Sequence, residues 1–225
     1  MSVDSVNRQF VQKKKYFPGI GSDEKMHPLS RLAANISGKD CVNQISEVYE
    51  YCCIRTASGH PGNEIWLYGF SRGAYVVRAV AGLLHHLRAL TSAGTPAFKS
   101  DFAGGLRRYK DLQRRSAQGA GQAHEYLAEK TRPAPIIRFI GVFDTVKAVN
   151  DHFLYDISFN DSIQHFRQSH ALSEGRKDLS PECLSSELNR AIPCDRSLIQ
   201  AKFLGAHLDV GESAAKDGLS LYPLQ

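Results

Sequence analysis

Three kinds of protein are excluded by what this sequence has little of. Its five cysteines, Cys41, Cys52, Cys53, Cys183 and Cys194, are odd in number and show no paired C-x-x-C spacing, which argues against a disulfide framework and against a zinc site. No apolar run approaches membrane-spanning length, and the basic triplet Lys13-Lys14-Lys15 is not followed by a signal-peptide core; a cytoplasmic chain without a transmembrane segment is expected. Charge of one sign is scarce as well. The formal net charge is +5 over 225 residues, and the visible basic cluster, Arg107, Arg108, Lys110, Arg114 and Arg115, has acidic and glutamine neighbours. That is the pattern of a solvated helix face and not of a nucleic-acid surface.

What remains is ordinary for one globular domain. Apolar residues make up 42% of the chain and fall in runs separated by glycine, proline and charge, enough to bury a core without metal or disulfide. A single domain over 1–225 is expected. Residues 14–17 read as a short strand ending in the turn Pro18-Gly19-Ile20-Gly21, a candidate site-lining loop. From Val42 to Ala57 the spacing of Ile45, Val48, Tyr49 and Cys52 predicts an amphipathic helix, with Cys52 and Cys53 as small buried hydrophobes.

Ile65–Phe70 is almost continuously apolar, as for a strand covered on both faces of a parallel sheet. Residues 74–90 carry a wide apolar stripe through Val77, Val80, Ala81, Leu84 and Leu87. Residues 91–133 are rich in glycine, serine, alanine and charge; they read as an insertion or cap with one polar helix around Leu106 to Arg115. Ile136–Phe143 and Ala201–Ala206 are further apolar strands, ending at Asp144 and His207. Helices interleaved with such strands predict a three-layer α/β fold of hydrolase type, with a mainly parallel central sheet and a polar helical insertion.

Between the first strand and the second helix stands Gly69-Phe70-Ser71-Arg72-Gly73, which fits the G-x-S-x-G nucleophile elbow. Such an elbow strains the serine backbone and lifts its hydroxyl clear of the sheet, and the flanking glycines are expected to avoid collisions with neighbouring backbone. The N–H of Arg72, at the helix start, is a natural oxyanion donor. A serine alcohol is a weak nucleophile, so it needs a base, and the base needs an acceptor that fixes its tautomer. His207 is the best base candidate; His170 competes, and His85 and His86 read as packing or surface residues. Asp144, at the carboxyl end of a strand, is preferred as orienter. Asp209 is the alternative orienter, and a helix N-cap is the alternative role for Asp144.

Four blocks resemble the Tle-like α/β-hydrolase domain family of type VI secretion phospholipase effectors and of many uncharacterised fungal and bacterial proteins. They are Tyr16-Phe17-Pro18-Gly19-Ile20-Gly21, Gly69 to Tyr75, Gly141 to Val146 and Gly205 to Gly211; Ser169 to Leu172, with Glu174 and Arg176 after it, adds a fifth. The resemblance implies Ser71, Asp144 and His207 as a triad and phospholipid acyl esters as substrates. It also has departures. No strand leads into the family's Asp-Gly-Thr loop, Glu212 stands where a further glycine is usual, and the chain ends at Gln225 where relatives continue. A chain truncated at both ends is therefore expected, with Gly19 and Gly21 as candidate substitutes for the second oxyanion donor.

The function read from the sequence is a serine hydrolase that cleaves carboxylic esters through an acyl-serine intermediate, with no metal or organic cofactor. A catalytically weak or inactive interaction module is the alternative. A lipid substrate would imply transient membrane-surface contact and an apolar patch, expected within 91–133.

Overall fold

In the computed structural model, the described residues are 11–19, 38–60, 62–113, 117–147, 155–176, 180–184 and 192–211. Four parallel strands form the central sheet in the order β1 (Ile65–Phe70), β4 (Ile137–Phe143), β5 (Ile163–Ala171) and β6 (Ser197–Phe203). Helix α1 (Gly38–Arg55) leads into β1, and α2 (Arg72–Leu87) follows it with only Ser71 between. The fold is a mainly parallel sheet with flanking helices, as the alternation of apolar runs predicts.

Helix α2 is the centre of the core. Most of its length is buried, from Arg72 through Leu87, because it lies on the sheet with one side and on α1 with another; a helix apolar around most of its circumference belongs in such an interior. Arg78 is buried in this core to 2% exposure. It donates from Nε to Ile157 O at 3.0 Å and from Nη1 to Glu182 O at 2.8 Å, and its guanidinium stands over the Phe166 ring, so the buried charge has polar partners.

β1 departs from the expectation that both its faces are covered. Ile65 and Leu67 point towards α2 and are buried, whereas Trp66 and Tyr68 are 52% and 60% exposed. On that second face the aromatic rings cover one another instead. Trp66 stacks on Phe139 with centroids 5.3 Å apart, and Tyr68 lies 5.6 Å from the same ring.

Residues 14–17 form no strand; the segment lies against α1, with Phe17 edge-on to Tyr51 at 5.9 Å and Pro18 O accepting from Gln44 Nε2 at 2.5 Å. The expected single polar helix beyond residue 91 is instead a pair, α3 (Phe98–Gln113) and α4 (Ala117–Lys130). The pair is framed by two short antiparallel strands, β2 (Ala89–Leu90) and β3 (Thr131–Arg132). Gly104-Gly105 resembles a break in sequence, but a Cβ at either position would lie 3.3 Å from the Tyr126 ring or the Leu87 side chain, so the glycines admit close helix packing. Phe98 and Phe102 carry α3 into the core beside Tyr49, and Tyr109 does so beside Tyr155. Burial pushes the Cys52 and Cys53 thiols up to about 12 and about 11, in keeping with their packing role.

Candidate active site

β1 and β4 run side by side with Phe70 opposite Phe143, so the residues that leave these strands, Ser71 and Asp144, emerge next to each other at the carboxyl edge of the sheet. Ser71 N–H donates to Phe143 O at 3.0 Å. The serine backbone has φ +56° and ψ −122°, a conformation that costs a non-glycine residue about 1–3 kcal/mol and persists only where the surroundings impose it. Here β1 enters and α2 leaves in immediate succession, and the turn between them is a single residue.

The two elbow glycines do not do the same work. A Cβ on Gly69 would lie 2.5 Å from Gly73 O and 2.7 Å from Ala74 Cα, so no other residue fits there. At Gly73 a Cβ meets nothing within 4 Å; the expectation of a collision on both sides holds for one glycine only.

Asp144 is fully buried with φ +44°. Its N–H donates to Ser169 O at 2.8 Å, and its Oδ1 accepts from Ala171 N–H at 2.9 Å. The other oxygen, Oδ2, lies 2.6 Å from His207 Nδ1. Residues 145–147, which follow Asp144 directly, are not helical, so the N-cap alternative does not apply. His207 is itself fully buried at the start of the short helix α5 (His207–Gly211), with its ring stacked on Phe70 at 4.7 Å. Its Nε2 is 2.8 Å from Ser71 Oγ. Serine, histidine and aspartate thus form one continuous hydrogen-bonded line.

The competitors are engaged elsewhere. Asp209 Oδ2 accepts from Ala206 N–H at 2.6 Å, holding the first turn of α5 instead of an imidazole. His170, 3% exposed, directs Nε2 at Gln200 Oε1 at 3.4 Å and Nδ1 at Cys183 Sγ at 4.0 Å, and burial lowers its pKa. His85 meets Ser162 Oγ at 3.2 Å, and His86 meets Asp156 Oδ2 at 2.8 Å, a bond that keeps the Asp156 carboxyl far below its usual range. Arg72 opens α2 directly after the serine. Gly19 is exposed, and a Cβ there would meet nothing within 4 Å; Gly21 lies outside the described residues.

One contact escaped sequence reasoning. Glu174 Oε2 accepts from His207 N–H at 3.2 Å, and the same carboxylate takes a two-pronged bond from Arg176, 2.7 Å on each prong. Glu174 was visible only as part of a resemblance block, because nothing local in Glu-x-Arg points to a histidine 33 residues on. A cleft of about 410 Å³ is lined by Ala171, Glu174, Gly175, Arg176, Ser180 and Pro181.

Exposed apolar side chains were expected in 91–133, but among the described residues the large ones lie elsewhere. Leu172 and Leu204, 51% and 73% exposed, stand just past the ends of β5 and β6. Among the described residues no helix is long and apolar enough to cross a membrane, and no cluster of three or more His, Cys, Asp or Glu could hold a metal ion.

Compared with known families, residues 2–225 match the catalytic domain described as that of the Tle1-like phospholipase effector of the type VI secretion system. No curated protein matches the chain. Solved structures are similar as well, two of them as follows. The Tle1 effector bound to the VgrG spike of the type 6 secretion system is 17% identical, with a TM-score of 0.44 over 80% of this chain and 32% of that one. An uncharacterized protein from Pseudomonas aeruginosa is 20% identical, with a TM-score of 0.41 over 83% of this chain and 26% of that one. The chain spans about a third of the first structure's length and about a quarter of the second's.

Proposed function

We infer, since the chain belongs to the family of Tle1-like phospholipase effector catalytic domains, that it is a serine hydrolase that cleaves the acyl esters of phospholipids through an acyl-serine intermediate. The observation that carries this reading is the line from Ser71 Oγ to His207 Nε2 at 2.8 Å and from His207 Nδ1 to Asp144 Oδ2 at 2.6 Å. It stands on a serine whose backbone is held at a positive φ.

With Nδ1 protonated and bonded to Asp144, Nε2 is left as an acceptor facing the alcohol. His207 takes the Ser71 proton as Oγ bonds to the ester carbonyl carbon, and negative charge moves to the carbonyl oxygen. The N–H of Arg72, at the positive end of α2, is placed in chain order to receive that charge. The imidazolium then gives its proton to the departing alcohol oxygen as the ester C–O bond breaks. Water enters in the second half: His207 removes its proton, hydroxide oxygen bonds to the acyl carbon, and the proton returns to Ser71 Oγ as the fatty acid leaves. Asp144 accepts from Nδ1–H throughout and steadies the imidazolium.

Leu172 and Leu204 support a lipid as the acyl donor. They put exposed apolar surface at the sheet edge from which Ser71 and His207 project, where an acyl chain could be sheltered from water.

The test is covalent labelling with a fluorophosphonate, together with fatty-acid release from phosphatidylglycerol and phosphatidylethanolamine vesicles. The wild-type chain is expected to label and to release fatty acid, and Ser71→Ala to do neither. A folded wild-type chain that takes no label would instead select the non-catalytic interaction module.

A further inference from the structure

We propose that Glu174 is a positioning residue for His207, holding the backbone of the base through its N–H so that the imidazole stays between Ser71 and Asp144. The proposal rests on the serine-hydrolase reading above.

His207 sits at a chain position with little support of its own. Helix α5 is only five residues long, a single turn with few internal hydrogen bonds to hold it. The N–H groups at its start have no backbone carbonyl partner within the helix. Two carboxylates from different parts of the chain meet them: Asp209 takes the N–H of Ala206, and Glu174 takes that of His207. Glu174 is the one that ties α5 to the end of β5, the strand that lies between β4 and β6. It follows β5 by three residues, in a segment already laced to the β6–α5 turn by Leu172 N–H to Phe203 O at 2.9 Å and Ser173 N–H to Gly205 O at 3.0 Å. The strand's last residue, Ala171, donates to Asp144. One short stretch, Ala171–Glu174, therefore grips both partners of the serine: the acid by a backbone donor, the base by a side-chain acceptor.

The carboxylate is itself held. Arg176 clasps it with Nε and Nη2 at 2.7 Å each, and its own N–H adds a bond of 2.8 Å. The Glu174 side chain is 4% exposed although its partner is 42% exposed. This clasp, the largest cause, draws the Glu174 carboxyl down to about 2, so the acceptor remains charged and aimed over the whole range in which a histidine can serve as base. A charged acceptor makes the stronger bond to a backbone N–H.

A tether that acts through position changes the rate on properly folded molecules and leaves their number intact, whereas a general loss of structure lowers the number. Fluorophosphonate labelling separates the two, because its end point counts competent sites and its rate constant reports their reactivity. Labelling of wild type but not of Ser71→Ala first establishes the underlying reading. On that footing, Glu174→Ala is expected to label to full stoichiometry about tenfold to a hundredfold more slowly, the scale of a misplacement near 1 Å. On a short-chain nitrophenyl ester its kcat falls with KM little changed. Glu174→Gln, which keeps an acceptor of the same shape, is expected to recover most of the rate. A wild-type labelling rate in Glu174→Ala overturns the proposal, as does a reduced end point whose labelled fraction reacts at the wild-type rate. If wild type itself does not label, it is the serine-hydrolase reading that fails.

Discussion

The carboxylate of Asp144 and the imidazole of His207 meet at 2.6 Å across 63 residues of chain, both with no exposure to solvent. The second Asp144 oxygen is held by Ala171 N–H, so the carboxylate cannot turn away, and the ring orientation is decided before any substrate arrives. Asp144→Asn would present an amide that can donate to Nδ1 and so favour the tautomer that leaves Nε2 protonated. The expected result is a loss of about 10⁴ in kcat with the melting temperature changed little, measured by ester turnover beside thermal unfolding.

The strained backbone of Ser71 gives a prediction in the opposite sense for stability. Glycine adopts φ +56° without the steric cost that serine bears there. Ser71→Gly is expected to be inactive and yet more stable by about 1 kcal/mol, a rise of roughly 2–4 °C in melting temperature for a chain of this size. Calorimetry decides it, and an unchanged or lowered melting temperature would count against stored strain at the elbow.

Gly69 and Gly73 are equivalent in the motif and unlike in the structure. Gly69→Ala drives a methyl group into Gly73 O and the start of α2, with an expected loss of about 1–3 kcal/mol. Gly73→Ala fills open space in a helix and is expected to be neutral or stabilising by up to about 1 kcal/mol. Chemical denaturation of the two variants side by side distinguishes them.

The Glu174–Arg176 clasp predicts a pH dependence of stability. The folded Glu174 carboxyl is drawn to about 2 from an ordinary 4.5, first by its bond to Arg176. A depressed carboxyl adds stability above its unfolded value and loses it as pH falls through its folded value. Arg176→Ala removes the main cause. The melting-temperature gap between wild type and this variant should therefore be full above about pH 5 and shrink steadily between 4.5 and 2. A gap that stays constant over that window would mean the clasp does not set the ionisation of Glu174.

Arg78 links α2 to the backbone at Ile157 and Glu182. Arg78→Met keeps the packing over Phe166 but leaves Ile157 O without its donor, at about 1–3 kcal/mol, while Glu182 O keeps its bond from Gln168 Nε2 at 3.1 Å. The expected readout is a lower denaturation midpoint, with hydrogen exchange fastest in 155–160 and 180–184.

The strand, the elbow and the apolar helix were legible because they are local. Ile65–Phe70 followed by Ser71 and an apolar stripe allows few other conformations, and Asp144 and His207 each stand at the end of an apolar run where a parallel sheet places its working groups. β5 was not legible as a strand. Its Gln168 and His170 are buried to 2% and 3% exposure, and they look like loop residues until their partners are seen: Thr145 and Glu182 O for Gln168, Gln200 for His170. The tether at Glu174 was hidden for the same reason, since its value depends on a partner brought close only by the pairing of β5 with β6.

By itself the sequence determined that an apolar strand must turn within one residue into a buried helix, with a serine at the turn, because steric exclusion at Gly69 and hydrophobic periodicity act between near neighbours. Only the tertiary structure decided which histidine and which aspartate stand in line with that serine, and what holds them there. Parallel register aligns strand ends that are remote along the chain, and a hydrogen bond reaches no further than about 3 Å.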